Sequence, residues 1–125
     1  MKNYIKARWA SFGYAFAGLF DFFSGRHPHA ILHLIAAITV LLAAYYFALS
    51  PWEWGLIILA IGGVLALEAL NSALEYVVDL VQPDFHPLAK KAKDMAAAAV
   101  LIFALATLGL ASLIFWPKIL NLLAN

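Results

Sequence analysis

The sequence predicts an all-α membrane protein: three transmembrane helices plus an N-terminal amphipathic surface helix, in one membrane-embedded domain over residues 1–125. Composition, long charge-free runs and the placement of lysine and arginine predict it. Of the 125 residues 66% are hydrophobic and 12% charged, whereas an ordinary soluble domain carries about 25% charge. Mean hydropathy is +0.90. Such a chain cannot cover itself with polar side chains, so most of its outer face has to meet lipid. Eight Lys and Arg against seven Asp and Glu leave +1, with no basic tract standing apart from acids. A nucleic-acid partner therefore has no electrostatic footprint. The absence of cysteine excludes disulfides and thiolate metal sites.

The segment from about 4 to 25 is dense in Phe, Trp and Tyr, opens on Lys6 and Arg8, and is interrupted by Gly13 and Gly18. That pattern suits a helix lying in the interface better than a span. A signal peptide is a poor alternative, since no A-x-A-type site follows the apolar run. Residues 30–49 carry no charge and form the first span, and a third span covers about 94–117. The middle span, about 53–80, is different. Its charge-free part runs only from Trp54 to Leu67, 14 residues, or about 21 Å of helix against a hydrocarbon thickness of about 30 Å. If Trp52 and Trp54 mark one interface, the other lies near residue 73, which leaves Glu68 inside the hydrocarbon edge. An ionisable group at that depth is a functional-site candidate, whereas Glu75 suits a snorkelling carboxylate.

Lys2, Lys6, Arg8 and Arg26 precede the first span, Lys90, Lys91 and Lys93 precede the third, and Lys118 alone lies at the other end. Seven against one places the N-terminus and the loop 81–93 in the cytoplasm and the C-terminus outside, so chemistry belongs on the inner face.

Glu68, Asn71, Glu75 and Asp79 follow one another at spacings of 3, 4 and 4. At 100° per residue they share a sector of roughly 80° on one helix face. Such a line of acceptors could hold a divalent cation, position a phosphate or accept a proton; its bland alternative is a polar seam gluing helices together. The loop 82–94 leads into the third span, with Lys93 and Asp94 expected at the helix start beside free N–H groups that suit a phosphate. Lys90 and Lys91 are accounted for by topology alone. Carboxylates, an amide and a lysine at one interface form a minimum set for phosphoryl transfer, although no Walker A or G-x-G-x-x-G loop is present.

These residues resemble a known signature. Glu68-Ala-Leu-Asn71-Ser-Ala-Leu-Glu75-Tyr-Val-Val-Asp79, followed by His86-Pro-Leu-Ala-Lys-Lys-Ala-Lys93-Asp94, is similar to the small prokaryotic integral-membrane diacylglycerol kinases and their undecaprenol kinase relatives. The resemblance implies a homotrimer with composite sites between neighbours, ATP as donor and Mg²⁺ as cofactor, with Zn²⁺ or Mn²⁺ as alternatives. By position it implies Glu68 as catalytic base and Glu75 as metal ligand. Arg8, Tyr14, Asn71, Glu75, Asp84, Phe85, His86, Lys93 and Asp94 would stand at the nucleotide or its phosphates, and Ala97 and Ala98 at the lipid. Asp79 belongs to the motif without an assigned role.

The sequence departs from the pattern in three places. His27 stands where the family has a second metal-binding glutamate, so that His27 binds the metal or a phosphate differently, a nearby acid such as Asp21 substitutes, or activity is weak. Arg8 lies one register from the family arginine, and Ala98 replaces a common glycine. His29 and His33 form an i, i+4 pair that a zinc site could use, with interface-seeking histidines the favoured reading. Two other functions compete with a lipid kinase: a small ion- or proton-coupled transporter using Glu68, and a structural subunit of a larger complex. For the acceptor, the His86-Pro-Leu-Ala-Lys version of the loop puts undecaprenol ahead of diacylglycerol.

Overall fold

A computed structural model describes residues 2–24 and 27–124; Arg26 and the side chain of Lys2, both counted in the charge asymmetry, lie outside the described residues. The elements are α1 (Lys2–Phe22), α2 (Pro28–Tyr46), α3 (Pro51–Val81) and α4 (Pro87–Leu123), with no strand among the described residues. The last three are long and apolar enough to cross a membrane. α3 packs along both α2 and α4.

Each span opens on a proline at its first turn, Pro28, Pro51 and Pro87, where the missing N–H leaves no donor unsatisfied and the fixed φ suits the helix. α3 has the sharpest start. Ser50 Oγ accepts from the Glu53 amide at 3.4 Å while the Ser50 amide donates to Glu53 Oε2 at 2.7 Å, a reciprocal capping box. Glu53 also reaches Lys118 of α4 at 3.2 Å, tying those two helices together at the same end of the bundle.

Four boundaries differ by three residues or more from those the sequence predicts. α2 stops at Tyr46 rather than 49, because Ala48 adopts φ 48°. The Leu49 amide then donates to the Ala44 carbonyl and the Ala48 amide to that of Tyr45, the Schellman arrangement that normally recruits glycine. α4 begins at Pro87 rather than 94 and continues to Leu123 rather than 117, passing through Pro117. α1 ends at Phe22 rather than 25. α3 matches expectation within two residues at its start and one at its end.

The densest packing lies at the Ser50 end. Ala44, Leu49, Ile57 and Ile114 are buried there, surrounded by Val40, Phe47, Trp54, Leu110 and Phe115. Farther along α3, Gly63 faces the Phe103 ring of α4 so closely that a Cβ would run into it. Away from these contacts the helices expose large apolar side chains such as Leu32, Leu42, Leu59 and Leu101, as lipid-facing surfaces do. Thr39, Thr107 and Ser112 return their hydroxyls to carbonyls of their own helices, which satisfies them in an apolar setting.

Gly63→Ala should destabilise the detergent-solubilised protein by about 1–3 kcal/mol through overpacking, measured by its unfolding midpoint. The double variant Gly63→Ala with Phe103→Leu should recover much of the loss; equal stability of wild type and Gly63→Ala would show that the ring yields freely.

Candidate functional site

The polar stripe of α3 crosses from a buried to an exposed setting within three turns. Glu68 is 4% exposed and Asn71 8%, whereas Glu75 and Asp79 are exposed. Among the described residues Glu68 makes no hydrogen bond and no ion pair. A carboxylate on so little-exposed a residue is open to a donor from outside the chain. One turn along, Asn71 Nδ2 donates to Glu75 Oε1 at 3.3 Å, while Asn71 Oδ1 is buried without a partner. Among the described residues Asn71 Oδ1 is the buried side-chain acceptor without a partner, and it marks the inner part of the stripe as unfinished in the single chain.

A cavity of about 340 Å³ runs between α2, α3 and α4, lined by groups including His33, Ala37, Ala104 and Leu108. From α3 it takes Ile57, Ile61, Val64 and Leu65. These stand 11, 7, 4 and 3 residues before Glu68, so they share its helix face and the cavity continues the line of that side chain. Its size falls within the range of about 300–1,000 Å³ typical of small-molecule pockets.

At the exposed end Lys93 Nζ of α4 meets Asp79 Oδ1 at 2.5 Å, and Lys90 meets Asp94 Oδ2 at 2.5 Å along α4. The expected setting of Lys93 and Asp94 at a helix start is corrected. α4 already begins at Pro87, so the amides of residues 93 and 94 lie inside the helix and have intrahelical partners. The true start is capped by the chain itself, His86 Nδ1 accepting from the Leu88 amide at 3.2 Å. Asp84, Phe85 and His86 are exposed in the corner between α3 and α4, where Gln82 Nε2 donates to the Asp84 carbonyl at 3.3 Å. Ala97 and Ala98 are exposed on α4, and Arg8 and Tyr14 on α1.

His27 is drawn elsewhere. Its Nε2 lies 3.0 Å from the Tyr76 hydroxyl and 3.8 Å from Asp21 Oδ2. No three His, Asp or Glu side chains gather as a metal-holding group among the described residues, so neither Glu75 with His27 nor His29 with His33 belongs to one. Tyr76 and the buried Ser72 escaped the sequence reading. Ser72 stands four residues after Glu68 and so carried a helical-face signal, whereas the pairing of Tyr76 with His27, 49 residues away, carried none.

Comparison with known proteins identifies the family. The chain matches the profile of prokaryotic diacylglycerol kinase over residues 13–115. It is 48% identical over 87 residues to an undecaprenol kinase of Bacillus subtilis, an alignment covering 70% of this chain and 71% of that protein. A diacylglycerol kinase of Helicobacter pylori is 44% identical over 86 residues, covering 69% of this chain and 60% of that one. A diacylglycerol kinase of Synechocystis is 39% identical over 114 residues, covering 90% and 65%. The chain thus spans under two thirds of the length of the last two relatives, and the comparisons favour a kinase over a transporter. The matched residues contain the whole of α2 and α3 and the stripe from Glu68 to Asp79, and the chain belongs to the prokaryotic diacylglycerol kinase family of membrane lipid kinases.

Proposed function

We propose that the chain transfers the γ-phosphoryl group of ATP to the hydroxyl of a membrane lipid alcohol, with Glu68 as general base. The observation that carries this reading is a carboxylate 4% exposed, without a partner among the described residues, in line with an apolar cavity. A lipid whose tail lies in that cavity brings its hydroxyl to Glu68. The hydroxyl oxygen bonds to the γ-phosphorus, the bond to the β-phosphate oxygen breaks, ADP leaves, and the hydroxyl proton passes to a Glu68 carboxylate oxygen. The polar end of the stripe serves the nucleotide. Asn71 and Lys93 act on its phosphates, and Asp84, Phe85, His86 and Asp94 on the rest, with Tyr14 and Arg8 approaching from α1.

A divalent cation fits here as part of the nucleotide complex rather than as a resident of a protein cage, since no three-ligand group is present among the described residues. Mg²⁺ commonly takes one or two carboxylates plus substrate phosphates, and Glu75 is the side chain that would hold it; when bound it neutralises phosphate charge. The unpartnered Asn71 Oδ1 and the exposed apolar faces support a homotrimer in which neighbours complete each site. The asymmetry of lysine and arginine supports a cytoplasmic active site. Undecaprenol is placed ahead of diacylglycerol as acceptor, with Ala97 and Ala98 on its path.

Glu68→Gln should lower the rate about 10²- to 10⁴-fold, the usual contribution of a positioned base, while the oligomer still forms in detergent; a near-normal rate with ATP and Mg²⁺ would exclude the base assignment. Lys93→Ala should change stability by less than about 1 kcal/mol, because its ion pair with Asp79 is solvent-exposed. The same variant should raise KM for ATP about 10- to 100-fold if the ammonium binds phosphate. In a radiolabelled-ATP assay offering undecaprenol and diacylglycerol side by side, undecaprenol should be phosphorylated faster, and the opposite order would reverse the acceptor assignment.

A further inference from the structure

α1 has a slender hold on the spans. Residues 8–20 are exposed, and Phe22 is the first buried side chain of the helix among the described residues. The attachment is made at the corner between α1 and α2. There His27 Nε2 stands 3.0 Å from the Tyr76 hydroxyl of α3 and 3.8 Å from Asp21 Oδ2 of α1. Its ring meets that of Tyr76 edge-on with centroids 5.6 Å apart and lies 6.0 Å from that of Phe22. His27 is also the N-cap residue of α2, yet its side chain makes no capping bond. The imidazole, only 13% exposed, is given to the contact between helices.

We propose that His27 is a positioning residue, a latch that holds α1 against the Glu75 end of α3. In the tautomer protonated on Nδ1, the Tyr76 hydroxyl donates to Nε2. This contact lies one residue along α3 from Glu75, which itself accepts from Asn71. The resemblance gives this position to a metal-binding glutamate, and the structure disagrees: Nε2 is engaged by tyrosine and no three-ligand group among the described residues includes it. Mg²⁺ favours oxygen over an imidazole in any case. Holding α1 in place pre-arranges Tyr14 and Arg8 for the nucleotide, so the latch acts on ATP binding and leaves the chemical step alone. Its kinetic consequence rests on the kinase reading; its structural one does not.

The test uses the full-length protein in detergent or bilayers and compares His27→Ala, His27→Gln, Tyr76→Phe and the double variant of His27→Ala with Tyr76→Phe. Hydrogen exchange at the amides of residues 14–22 should quicken in His27→Ala and Tyr76→Phe, and stay near wild type in His27→Gln, whose amide still reaches the hydroxyl. KM for ATP should rise about three- to tenfold in the first two, the effect of one lost hydrogen bond, with kcat within about twofold. The double variant should be no worse than either single one, as coupled partners require. The Mg²⁺ concentration for half-activation should not move. Tyr76→Phe removes a single oxygen, so it keeps the test decisive if His27→Ala folds poorly. Unchanged exchange in Tyr76→Phe, additive losses, or a shifted Mg²⁺ requirement in His27→Ala would each overturn the latch. If the wild type phosphorylates no lipid alcohol, the kinase reading fails while the exchange comparison still decides the latch.

Discussion

Removing a carboxylate from water is costly unless a hydrogen-bond donor or a counter-charge replaces the lost hydration. α3 places Glu68 under that cost and supplies neither. Everything around it is arranged on the same terms. Toward the Ser50 end, its helix face is occupied by Val64, Leu65, Ile61 and Ile57, which line an apolar cavity. Toward the other end, Asn71, Glu75 and Asp79 follow it into the open. The carboxylate therefore sits where an apolar compartment meets a polar one, the setting that the proposed transfer to a lipid hydroxyl requires.

The reinforced end of the bundle and the end proposed for chemistry lie at opposite ends of the same helices. The Ser50 end holds the capping box, the Glu53 ion pair with Lys118, the Schellman turn at Ala48 and the buried cluster around Ile57 and Ile114. The His86 end holds exposed ion pairs and a short corner, with α1 attached through His27 and Phe22. Exposed pairs of that kind contribute little to stability. They leave side chains such as Lys93 free to exchange one anionic partner for another.

Much of this was legible in the sequence because the bilayer imposes a length scale. Counting from Trp52 and Trp54 singles out Glu68 by its depth, and the structure gives the same residue a separate distinction, burial within the protein itself. The bounds of α3 were legible because charge-free residues and a 3-4-4 polar spacing both require one continuous helix. The start of α4 was not. Pro83 and Pro87 look alike as helix breakers, and only the cap supplied by His86 shows that the second opens a helix. The stop of α2 was illegible because Ala48 takes a left-handed conformation that alanine does not advertise. The roles of Tyr76 and His27 depend on a contact between residues far apart in sequence, which periodicity within one helix cannot report.

The alanines of the cavity wall have a consequence for how such a protein diversifies. Ala36, Ala37, Ala60, Ala104 and Ala111 offer a surface without a shaped recess for any particular branch or ring. If the cavity holds the acceptor as proposed, exchanging one of them for a larger apolar residue alters which chain fits, and it does so apart from the capped turn and ion pair at the Ser50 end and from Glu68. On the proposed reading, acceptor preference can then drift between lineages by single substitutions while the scaffold and the reaction stay the same.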